Sequence, residues 1–178
     1  MAEFDAETEL RDYAARRAIT KLLYSYMRAQ DRLLPDLHRS VFTEDAYVDC
    51  GHFKGPAARF VDFAQGFLGE LKFSQHLIGQ ADIDIDGDRA AGEVYFIAQH
   101  RIVEDGAEKD LFVAGRYVDE YRCRSGAWKI WRRCELVDWV RTDPATDSFI
   151  RAAPGLNMAG RHDEDFSSTR AWPAELAN

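Results

Sequence analysis

Few residues in this chain carry chemistry, and it is their placement that makes them candidates. Asp31 follows Met27 by four residues and Leu23 by eight. It therefore prolongs the apolar stripe of Ile19, Leu22, Leu23, Tyr26 and Met27 that marks an amphipathic helix. A carboxylate on that stripe points inward or lies at a pocket rim, the placement of a general base or of a base's partner. The competing reading makes Asp31 the N-cap of the next helix, a position Asp favours. Spacing does not choose between the two. Tyr26, on the same stripe, offers either a hydroxyl to a cavity or plain aromatic core.

His76 stands in QHLIG at the start of a strand-like run. A lone strand histidine is more often a satisfied core or edge residue than a reacting group. His100 shares a strand face with Val94, Phe96, Ala98 and Ile102, so it should point into the core or a cavity. By the same count Arg133 shares a face with Trp131, Val137 and Trp139. Facing inward, it needs an anion or a hydrogen-bonded partner; facing outward, a surface ion pair suffices. Phe60, Phe63, Phe67, Phe96 and Trp131 or Trp139 are the expected apolar walls of a pocket for a ring-shaped hydrophobic ligand.

Other signals are weaker. The run Arg161 to Asp165 (RHDED) has metal-ligand residue types but lies in a polar stretch, where it reads as a solvated charge run. The motifs GxSxG, GxGxxG, the P-loop and HExxH are absent. No metal or cofactor is expected. Cys50, Cys123 and Cys134 follow neither metal-ligand nor disulfide spacing, which suits a reducing compartment.

The elements that must position these residues are readable by period. A helix is expected from about Glu7 to about Gln30, and a short one from Pro35 to about Phe42. DAYVDCG alternates like a strand, and GHFKGP turns the chain. Phe60, Phe63, Ala64, Phe67, Leu68 and Leu71 then recur at helical spacing. Four long strand-like runs follow, separated by DGD, EDGAE and RSG, each suited to a hairpin. Helices followed by consecutive antiparallel strands give an α+β class with a curved sheet closed by helices. One domain over residues 1–141 is expected, with 142–178 as an extension packed on it or on a partner subunit.

The chain has 178 residues, a formal net charge of -8 and an isoelectric point near 5.1. That acidity argues against nucleic acid and anionic membrane as partners. The acidic start lacks a signal-peptide core, and no apolar run is long enough to span a bilayer, so a cytoplasmic location is expected. A sheet with one helix layer leaves its outer face bare. Val118, Tyr121, Trp128 and Ile130 are expected to supply apolar area there, making a homodimer or homotrimer.

The element order, with AITKLLYSYMRAQD, FKGPAARF, and the pair QHLIG and GAWKIWR, resembles the SnoaL-like branch of the nuclear transport factor 2-like superfamily over about Leu10 to Trp139. Within the branch it looks most like hexachlorocyclohexane dehydrochlorinase, bile acid dehydratase and scytalone dehydratase. The resemblance implies a cone-shaped α+β barrel, three N-terminal helices packed on a curved, mostly antiparallel sheet. By position, Asp31 and His76 match the catalytic Asp–His dyad of these enzymes. Tyr26 matches a tyrosine of bile acid dehydratase, Arg133 the active-site arginine of the dehydrochlorinase, and His100 the second histidine of scytalone dehydratase. Gly115 and Tyr117 stand where scytalone dehydratase has serine and asparagine, so scytalone is not the expected substrate.

The implied activity is a lyase-type elimination, dehydratase-like, on a cyclic, hydrophobic or steroid-like small molecule. His76 would take the proton, Asp31 would hold its other nitrogen, and Tyr26 and Arg133 would stabilise the oxyanion or departing hydroxide. Two alternatives stay open: an isomerase or cyclase using the same proton abstraction, and a non-catalytic binding protein like the small subunit of a ring-hydroxylating dioxygenase.

Overall fold

The computed structural model describes residues 5–153 and 155–174. The first helix, α1 (Ala6–Asp31), begins where Asp5 accepts from the Glu7 N–H at 3.1 Å and the Thr8 hydroxyl at 2.6 Å. Glu7 and Glu9 in its first turn suit the positive end of the helix dipole. Its stripe of Ile19, Leu23, Tyr26 and Met27 is buried as the period demands. Next come α2 (Pro35–Ser40), with proline in its first turn, and strand β1 (Phe42–Asp49). GHFKGP makes a turn plus a three-residue strand, β2 (Lys54–Pro56), before α3 (Ala57–Glu70).

The four long strands are β3 (Phe73–Asp86), β4 (Arg89–Glu104), β5 (Ala107–Arg124) and β6 (Ala127–Pro144). Asp105–Gly106 and Ser125–Gly126 both have positive φ at each residue, the geometry of a two-residue hairpin that matches strand twist. The strands form one sheet in the order β2-β1-β6-β5-β4-β3, antiparallel except where β1 lies parallel to β6. Edge strands β2 and β3 do not meet, so the curved sheet stays open. The core lies between its concave face and α1 and α3. No helix among the described residues is long and apolar enough to cross a membrane.

Two bulges in β6 change which residues face the core. Pairing passes from Tyr121↔Ile130 to Glu120↔Arg132, leaving Trp131 over; it passes from Ala114↔Trp139 to Gly115↔Val137, leaving Asp138 over. Each extra residue reverses the alternation. Ile130 and Arg133 therefore both face the core; Tyr121 faces it by plain alternation with Tyr117 and Asp119 on β5, and Trp128 packs against it, so Ile130, Tyr121 and Trp128 do not form the outer face. Arg133 is buried, while Trp131 does not share its face. Trp131 sits outside, under the guanidiniums of Arg122 and Arg132 at 3.2 and 3.9 Å, with its indole N–H donating to Asp45 at 3.2 Å. Trp139 is 73% exposed. At the second bulge a Cβ on Gly115 would lie 2.1 Å from the Leu136 carbonyl oxygen, so only glycine fits.

Beyond β6 the chain forms two short helices, α4 (Ser148–Ala152) and α5 (Phe166–Thr169), with a 3-10 turn at His162–Glu164. The RHDED stretch is not a solvated charge run throughout. Asp165 is buried, accepting from the Gly160 N–H at 2.8 Å and the Ser167 N–H at 2.9 Å. Those donors, the Ser167 side chain first, hold its carboxyl down at about 2.

Candidate active site

Asp31 is the last residue of α1. The helix stops because Leu33 takes a left-handed backbone (φ 52), which lets the Leu34 N–H turn back to the Ala29 carbonyl at 2.9 Å. The N-cap of α2 is Leu34, so Asp31 does not cap the next helix. Its carboxylate meets β3 instead. One oxygen accepts the His76 backbone N–H at 3.0 Å, and the other lies 2.7 Å from His76 Nδ1.

That pairing fixes the imidazole chemistry. An ionised carboxylate only accepts, so Nδ1 carries the proton. In the neutral ring the lone pair is then on Nε2, which has no protein partner among the described residues. With both Asp31 oxygens committed to one residue, the ring is held in angle as well as in tautomer. Both residues are buried.

His100 lies beside this pair, its ring 5.1 Å from that of His76 and 6.4 Å from Phe67. Burial, and then the charge of His76, pull its pKa down to about 4, so it is neutral near pH 7. Its Nδ1 has no partner among the described residues.

Tyr26 and Arg133 are also brought together, but in a separate cluster. Arg133, 2% exposed, forms a bidentate pair with Asp119 at 2.7 and 2.6 Å. Its guanidinium lies 4.2 Å from the ring centre of Tyr26 and 3.9 Å from that of Tyr117, and the Tyr121 hydroxyl donates to Asp119 at 2.7 Å. Burial pushes the Tyr26 hydroxyl pKa up, against the pull of Arg133. His38 packs edge-on to Tyr26 at 4.9 Å, and burial lowers its pKa to about 3. It is a neutral core histidine.

The sequence reading missed two carboxylates. Asp119 alternates with Tyr117 and Tyr121 on β5, directly across from Arg133 on β6. A carboxylate within an aromatic alternation was the available signal. Glu135 lies two residues past Arg133, opposite Tyr117. It is half-buried and has no hydrogen-bond partner among the described residues. Burial raises its pKa despite the opposing charges of Arg133, His76 and His52.

An open cleft of about 420 Å³ reaches this region. Asp31 and His100 line it, with Ser74, Gln75 and Gln99 from the strands and Ala159, Gly160 and Arg161 from the C-terminal stretch. Its lining is mixed, with Phe73 beside charged and polar side chains, where aromatic walls were expected, because none of the anticipated ones reaches it. Phe60 packs in the core against His38 at 5.8 Å, and Phe96 stacks on Tyr117 at 4.5 Å. Phe63 stacks on Phe53 at the surface, Phe67 packs edge-on to His100 at 6.4 Å, and Trp131 is on the other face of the sheet. Tyr26 and Arg133 do not line the cleft either, and His76 sits just behind it, against the lining residues Asp31 and His100.

Comparison with known proteins agrees with this geometry at the level of fold. The family model for the SnoaL-like domain matches residues 11–134. An uncharacterized protein of Mycobacterium tuberculosis strain H37Rv is 33% identical over 125 residues, 67% of this chain and 83% of its own. Hexachlorocyclohexane dehydrochlorinase LinA-type3 from Novosphingobium barchaimii superposes with a TM-score of 0.68 at 18% identity, covering 75% of this chain and 93% of that one. A scytalone dehydratase-like protein from Novosphingobium aromaticivorans gives 0.66 at 21% identity, covering 76% and 91%.

Proposed function

The chain belongs to the SnoaL-like family, and on that footing we propose that it is a cofactor-independent lyase acting through Asp31 and His76. The observation that carries this reading is the two-point hold of Asp31 on His76, at 3.0 and 2.7 Å. It leaves Nε2 as an oriented base inside a protected site. In the proposed step, Nε2 removes a proton from the carbon next to the one that bears the hydroxyl. The electron pair forms the new double bond, the C–O bond breaks, and the departing hydroxide takes the proton from the imidazolium and leaves as water. Asp31 stabilises the imidazolium as it forms. His100, neutral and bordering the cleft, is assigned to substrate contact. Tyr26 and Arg133 are assigned a supporting role within the core, since their stack does not reach the cleft.

Dehydration of a cyclic hydroxy compound is the form of the reaction we favour. Similarity to a dehydrochlorinase and a dehydratase-like protein supports elimination as the class. The test is a panel of cyclic hydroxy-ketones and hydroxysteroids followed by mass spectrometry. Loss of one water marks elimination, and an unchanged mass with a moved double bond marks an isomerase using the same base. His76→Ala should lower the rate by about 10²–10⁴-fold with the fold intact, the usual contribution of a general base. Asp31→Asn should be severely impaired as well. A His76→Ala protein as fast as wild type would make the pair structural.

A further inference from the structure

The C-terminal stretch builds one wall of the cleft, and its anchoring is specific. The His162 N–H donates to the Arg32 carbonyl at 2.6 Å, and the Arg32 guanidinium donates to the Gly160 carbonyl at 2.6 Å and to Asp165 at 3.3 Å. Arg28 reaches the hydroxyls of Ser167 and Ser168 at 2.7 and 3.0 Å. These contacts clamp the stretch to the end of α1, next to Asp31. The residue so placed at the cleft is Arg161.

Charge pairing makes Arg161 different from the other cations of the cleft. Lys72 is paired with Glu108, Arg101 with Asp110, Glu108 and Asp147, and Arg32 with Asp165. Arg161 makes no ion pair with any described carboxylate. Among the described residues its side chain makes one hydrogen bond, a 3.4 Å contact to the Gly69 carbonyl, and its Nη2 is buried with no partner. Asp31 attracts it, but from beyond ion-pair distance, and both Asp31 oxygens are taken by His76. A guanidinium is charged at every working pH, and one left without a counter-charge in a half-buried place is costly unless an anion meets the part of it that lines the cleft.

We propose that Arg161 is the anion-recognition residue of this cleft and that the ligand carries a carboxylate. The planar fork of arginine matches a carboxylate in geometry as well as in charge. The substrate class thus becomes a small hydroxylated carboxylic acid, its acid group held by Arg161 and its body toward His100. This rests on the preceding proposal for the choice of cleft, though not for turnover.

The test is direct binding by calorimetry, with benzoate and its neutral isostere benzamide as probes. Wild type should bind benzoate and bind benzamide at least 10-fold more weakly. Arg161→Gln should lose at least 10-fold in benzoate affinity with an unchanged melting midpoint, since little besides the Gly69 contact is lost. Arg161→Lys should recover part of the loss. Equal binding of benzoate and benzamide, no benzoate binding, or an Arg161→Gln protein that binds as wild type does would each overturn the proposal. Because no turnover is measured, these results stand apart from the His76 test: either proposal can fail while the other survives.

Discussion

Removing Asp119 should be among the most damaging single changes available outside the cleft. Its carboxylate is 1% exposed and takes both forks of Arg133, itself 2% exposed, at 2.7 and 2.6 Å. Asp119→Ala deletes two charge-assisted hydrogen bonds and leaves a guanidinium among aromatic rings with no counter-charge. Breaking a buried pair in this way costs about 3–5 kcal/mol. Two charged hydrogen bonds at roughly 1.5–3 kcal/mol each lead to the same range. Against a total stability of about 5–15 kcal/mol, that is a third or more for most domains. With a urea m-value of about 2 kcal/mol/M, the unfolding midpoint should fall by about 1.5–2.5 M. A paired variant separates the cost of an orphaned charge from the worth of the ion pair. Asp119→Leu with Arg133→Met removes both charges and should recover most of the loss, because an apolar replacement of a buried pair is often neutral or better. If Asp119→Ala shifts the midpoint by less than about 0.5 M, or the double variant is less stable than the single, the reasoning is wrong.

Glu135 predicts a pH effect of definite sign. Burial raises its pKa, so the folded protein holds that proton more tightly than the unfolded chain does. The stability this lends is complete below the ordinary glutamate range and is lost as pH rises through the folded pKa. Glu135→Gln should therefore be more stable than wild type near neutral pH, with the advantage gone in acid; pH-dependent urea melts would show it, and a constant difference across pH would contradict it. The outer face of the sheet predicts self-association. Leu77, Ile97, Ala114 and Trp139 stand side by side in register across β3, β4, β5 and β6, with Leu77, Ile97 and Trp139 exposed. Light scattering should give a dimer or trimer mass that Trp139→Arg reduces, whereas a monomer at every concentration of wild type would refute this.

Much of this protein can be read from local pattern alone. The stripe from Ile19 to Met27 specifies the first helix and its buried face, because 3.6-residue periodicity is a property of the helix itself. Asp-Gly and Ser-Gly mark the hairpins because few other residues accept positive φ. Asp31 could be placed on the inward stripe for the same reason, although its N-cap reading fell only when α1 was seen to end in a left-handed Leu33. Tertiary structure alone decided the rest. Alternation counts correctly only as far as the next bulge, so the extra residues at Trp131 and Asp138 put Ile130 on the same inner face as Arg133 and left Trp131 and Trp139 outside. The partner of Arg133 lies on another strand, 14 residues away, and register rather than composition brings Asp119 opposite it. Arg161 reaches the cleft because the carbonyl and guanidinium of Arg32, at the end of α1, capture the chain about 130 residues later, and no periodic signal reports where a polar segment will dock.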